Sequence, residues 1–109
     1  MKIRTFLLAA AAIAAVACQT PEEKVQAYEA AHEAMVSEFQ VMMDSLESDQ
    51  EKAQAYYDQF IEEYKEFNLK AAKKNPDNEV ALQVLMNLYG MIDDQQVEEI
   101  ISKMPQEML

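Results

Sequence analysis

The chain has one cysteine, one histidine and one glycine in 109 residues. A single cysteine excludes an internal disulfide framework, a Cys-rich zinc module and a C-x-x-C redox pair. A single histidine leaves little for metal or general-base chemistry. A single glycine excludes the phosphate-cradling loops G-x-G-x-x-G and G-x-x-x-x-G-K-[ST]. Basic residues are few as well: nine Lys and Arg face 20 Asp and Glu, a formal charge of −11. Nucleic-acid binding needs clustered Lys and Arg to displace counterions from phosphates, so this balance argues against it.

What is present begins with an address. Lys2 and Arg4 form a positive n-region, and Phe6 to Ala17 is an uncharged, Ala-rich run. The run is shorter than the ~20 apolar residues that span a bilayer and suits a signal h-region. It ends in Ala15-Val16-Ala17-Cys18. A small residue before a lone cysteine resembles the bacterial lipobox, with Ala15 where that pattern usually has Leu. The resemblance implies removal of a signal peptide, residues 1–17, and diacylation of Cys18. An ordinary secretory site at Ala15-Val16-Ala17, leaving a free thiol, is the alternative. The expectation is an exported protein, lipid-anchored in the cell envelope on the periplasmic face or at the outer membrane. Without residues 1–17, seven bases remain against 20 acids, and the charge becomes −13. Such a body is repelled by anionic headgroups and is expected to stand off the membrane.

After a short tether, residues 18–21, the chain reads as one helical domain over residues 22–109. Thr20-Pro21-Glu22-Glu23 has the form of a capping box with proline at the first helical position. Val25, Tyr28, His32, Met35, Phe39, Met42 and Leu46 follow in steps of three and four, a heptad-like stripe that Val36 and Met43 widen. Ser48-Asp49-Gln50-Glu51 reads as a second capping box. It opens a register of Ala53, Tyr57, Phe60, Tyr64, Phe67 and Ala71, with Tyr56 expected to point outward. Asn75-Pro76-Asp77 interrupts the pattern. A shorter helix carries Val80, Val84, Leu85 and Leu88, with Gly90 expected at its C′ position. Asp93 or Asp94 caps a last helix that buries Val97, Ile100, Ile101 and Met104 before Pro105 stops it. No stretch alternates with period two. The expected fold is all-α: a long antiparallel hairpin, residues 22–74, packed by a shorter one, residues 77–104, in a four-helix bundle-like arrangement.

The chemistry-bearing residues form no catalytic constellation. Glu29-Ala30-Ala31-His32 has E-x-x-H spacing, but a di-iron bundle needs two such motifs and two further glutamates. His32 is therefore expected at a core edge, bonded to a carboxylate or water. Seven methionines follow Cys18. Thioethers suit Cu(I), but most of these residues fall in or beside the apolar registers, where Met fills gaps. Asp44-Ser45-Leu46 matches a short O-glycosylation pattern, and Ser45 also suits a helix end. No metal, cofactor or small-molecule substrate is expected. The expected function is a non-catalytic protein–protein interaction module, with Val36, Val41, Met43 and Tyr56 as the candidate surface. Self-association through the heptad stripes is a further possibility.

One longer stretch resembles a known family. Ala72-Lys73-Lys74-Asn75-Pro76-Asp77-Asn78-Glu79-Val80-Ala81, Leu88-Tyr89, and Glu98-Glu99-Ile100-Ile101-Ser102-Lys103-Met104-Pro105 are similar to the helical segment of TlpA-like thiol-disulfide oxidoreductase lipoproteins. The similarity covers roughly residues 50–109. In that family the segment lies between a β-rich domain and a thioredoxin-fold domain carrying C-x-x-C. Neither is found in this sequence, so no redox residue is carried over. The resemblance implies a truncated or degenerate member that is inactive alone. The same phrase resembles a single imperfect tetratricopeptide unit, too few to form an array.

Overall fold

A computed structural model describes residues 19–109. These fold into α1 (Pro21–Ser45), α2 (Gln50–Lys74), α3 (Glu79–Asn87) and α4 (Asp94–Ser102), followed by a 3-10 turn (Gln106–Met108). No strand occurs among the described residues. The fold is all-α, and its helices pack in a bundle-like way.

Each helix start has a side-chain reason. The Thr20 hydroxyl accepts the Glu23 N–H, and the Glu23 carboxylate accepts the Thr20 N–H. These reciprocal bonds hold the Glu23 carboxyl below its usual range. The second start differs from the expected box. Ser48 lies in the turn that ends α1, and Asp49 is the cap, accepting from Lys52 N–H. Asp49 can do this because its own N–H closes the turn onto the Leu46 carbonyl. Asn78 caps α3 by accepting from Val80 N–H, and Asp93 with Gln96 forms a full capping box on α4.

Ring contacts fix the α1–α2 register. Tyr28 stacks on Phe67, His32 tilts against Tyr64, and Phe39 stacks on Phe60 at 4.2 Å between centroids. As numbers rise on α1 they fall on α2, so the two 25-residue helices run antiparallel. Helix α3 closes the core against both: Val80, Ala81, Val84 and Leu88 are fully buried.

Several register positions differ from expectation. Tyr56 is buried at 6% exposure and Tyr57 is 43% exposed, the reverse of the reading above. The spacing to Phe60 suits either tyrosine. Stacking of Tyr56 on Phe39, at 14° between ring planes, selects the first. Leu85 is only half-buried. Helix α4 has no fully buried residue, and Ile101 faces outward. That helix ends at Ser102 rather than at Pro105, and a turn beyond it brings Met104 into the core. Gly90 lies two residues past the α3 cap, Leu88, not at C′. Its φ of +79° forms the Leu88–Met91 turn, closed by the Met91 N–H on the Leu88 carbonyl.

Candidate functional site

The most elaborate polar arrangement lies where α1, α2 and α3 meet. Asn87 Nδ2 donates to the Tyr28 hydroxyl, at 2.8 Å. Tyr28 donates to Asn68 Oδ1, at 2.5 Å, and Asn68 Nδ2 donates to the Tyr64 carbonyl, at 2.9 Å. The donors all run in one direction from α3 to α1 to α2. Tyr28 and Asn68 are essentially inaccessible. Burial pushes the Tyr28 hydroxyl up to about 12, against the opposing effect of the Asn87 bond. Burial raises Tyr64 as well.

His32 stands beside this relay. Its Nε2 lies 2.6 Å from the Tyr64 hydroxyl, so its partner is a tyrosine rather than a carboxylate or water. Half-burial lowers its pKa and favours the neutral ring, which can accept the Tyr64 O–H. Among the described residues, no group of three or more His, Cys, Asp or Glu could hold a metal. Glu29, the other half of the E-x-x-H, instead accepts from Gln83 on α3.

A second buried polar cluster shapes the α2–α3 connection. Asn75 donates to the Ala71 carbonyl and accepts from Asn78 Nδ2. Both asparagines are buried. Ser45 is the last residue of α1, and its hydroxyl donates to the Met42 carbonyl.

The four residues expected to form one interaction surface do not share a face. Val36 is half-buried, Val41 is 66% exposed, Met43 packs partly against the core, and Tyr56 lies inside it. Val36 and Met43, seven apart, align on the helix, but Val41 points elsewhere. Met43 instead joins Ala53 and Tyr57 around an open groove of about 410 Å³ at the hairpin tip. Cys18 lies outside the described residues. The methionines divide: Met35 and Met104 are buried, whereas Met86 is 70% exposed beside Tyr89 at 89%.

The sequence reading passed over a cleft of about 190 Å³ between the C-terminal half of α2 and α4. Leu69, Ala72 and Ile100 line it, with Lys70, Lys73 and Lys103 around them. Lys73 and Lys74, in the last turn of α2, also complement the helix dipole. The unread signal was Lys103, which α4 brings to the same cleft. No helix among the described residues is long and apolar enough to cross a membrane. No protein-family model, curated protein or solved structure matches this chain.

Proposed function

We propose that this protein is a non-catalytic helical interaction module held in the cell envelope by a lipid on Cys18. The observation that carries the interaction reading is how its reactive groups are used. His32 is bonded to Tyr64, and Tyr28 to Asn68 and Asn87, so these groups satisfy one another across the helix junction. The open surface meanwhile presents apolar side chains singly and in shallow grooves: Val41, Tyr57, Met86 and Tyr89. Shallow apolar grooves on packed helices suit a partner's side chains. The heptad stripe supports a partner elsewhere than along its own length, because Tyr28 and Met35 are already buried in the core.

The test is site-specific photocrosslinking in envelopes, with the reactive group at Val41, Tyr57 or Tyr89. A discrete adduct of constant mass from at least one position is expected, with none from a buried control such as Val84. Absence of an adduct from all three positions overturns the reading. For the anchor, globomycin should accumulate uncut precursor, and Cys18→Ser should release the chain from membranes. Normal processing under globomycin rejects the lipid.

A further inference from the structure

We infer that the α2–α4 cleft is a docking site for an acidic segment of a foreign protein, one that presents an apolar side chain between carboxylates. This rests on the reading of the chain as an interaction module and names the chemistry of one partner. Seven lysines are the only cations after residue 18, and five of them fall between Lys65 and Lys103. Three of these, Lys70, Lys73 and Lys103, line one cleft on a body that is otherwise strongly acidic.

The carboxylates that pair with these lysines hold them loosely. Glu66 pairs with Lys70 at 3.0 Å, with both side chains more than half exposed. Glu99 reaches Lys103 only at 3.9 Å. Lys73 has no ion pair among the described residues. Exposed pairs of this kind contribute little and exchange partners readily. An incoming carboxylate can therefore replace either acid without leaving a buried charge behind.

Size and lining then select the ligand. The cleft holds about 190 Å³, below the roughly 300–1,000 Å³ of small-molecule sites. It is large enough for a side chain or two, and Leu69, Ala72 and Ile100 offer that side chain apolar contact. Repulsion from the rest of the acidic surface is largely screened beyond a Debye length of ~8 Å, so recognition falls to these lysines at contact range. A basic partner meets the opposite arrangement: the net-acidic body attracts it and the three cleft lysines oppose it.

The test uses the purified chain and three labelled peptides read by fluorescence anisotropy. One is Glu-Glu-Leu-Ile-Glu-Glu, one has Lys for Glu, and one has Ala-Ala for Leu-Ile. The acidic apolar peptide should bind. The lysine peptide should not, and the Ala-Ala peptide should bind at least about tenfold more weakly. K73E/K103E should abolish binding, and K73Q/K103Q should weaken it, both with unchanged circular dichroism. No binding at about 1 mM, equal binding of the lysine peptide, or full binding by K73E/K103E overturns the proposal. Sedimentation that shows wild-type self-association abolished by K73E/K103E assigns the cleft to a second copy and also overturns it. Loss of peptide binding with envelope adducts retained at Val41, Tyr57 or Tyr89 removes this proposal alone. Loss of both removes the interaction reading as well.

Discussion

At the scale of single residues, the Tyr28 hydroxyl serves two asparagines on two other helices. Tyr28→Phe keeps the ring stack on Phe67 but leaves Asn68 Oδ1 without its donor and Asn87 without its acceptor. An unsatisfied buried group costs ~1–3 kcal/mol, so a loss of that size is expected in urea unfolding. His32 gives a pH-dependent counterpart. Its folded pKa lies below the ordinary value, so the unfolded chain takes up the proton first. Its contribution is complete above the unfolded value of ~6.5 and is lost as pH falls through the folded value. His32→Asn should therefore flatten the acid side of the melting-temperature profile relative to wild type, and an unchanged slope excludes His32 as its source. Hydropathy located His32 on the inner stripe but could not name Tyr64 as its partner. Asn68 was invisible for a related reason. It occupies a core position of α2, four residues after Tyr64, but a search for apolar side chains passes over an amide whose side-chain partner, Tyr28, lies on another helix.

At the scale of the element, helix starts were the most legible features because capping is local chemistry. Thr20–Glu23 and Asp93–Gln96 form the boxes that their spacing suggests. The Ser48/Asp49 choice was not legible, because two adjacent capping residues compete and the preceding turn decides between them. Helix α4 depends on its cap more than the others do, since it buries none of its residues fully. Asp93→Ala should cost ~1 kcal/mol. Hydrogen exchange should show the α4 amides opening before those of α3, and equal protection would contradict this. Gly90 tests backbone alone: a Cβ there meets nothing within 4 Å, but φ is +79°. Gly90→Ala should therefore destabilise by ~1–2 kcal/mol through conformation without any steric clash.

At the scale of the molecule, the long hairpin was readable because two matching heptad-like stripes leave few other ways to bury them. The place of α3 was harder, since its burial depends on asparagines that hydropathy counts as polar. The Asn75-Pro76-Asp77-Asn78 phrase has a structural use in this chain. Asn75 and Asn78 shape the connection, and Val80, Ala81 and Leu88 fill the core. Leu88 is fully buried, and Leu88→Ala should cost ~2–5 kcal/mol. Marginal stability of ~0.05–0.15 kcal/mol per residue makes that a large share of the total, so a calorimetric melt should shift down by many degrees or vanish. The helix start at Pro21, fixed by the Thr20 box, also bears on how the molecule is mounted. Only Gln19 and Thr20 separate Cys18 from a rigid 25-residue rod, a reach of ~7 Å. A lipid at Cys18 would act as a pivot with almost no leash. It would confine the search for a partner to a thin shell above the bilayer, whose thickness is set by the length of α1 and not by a flexible linker.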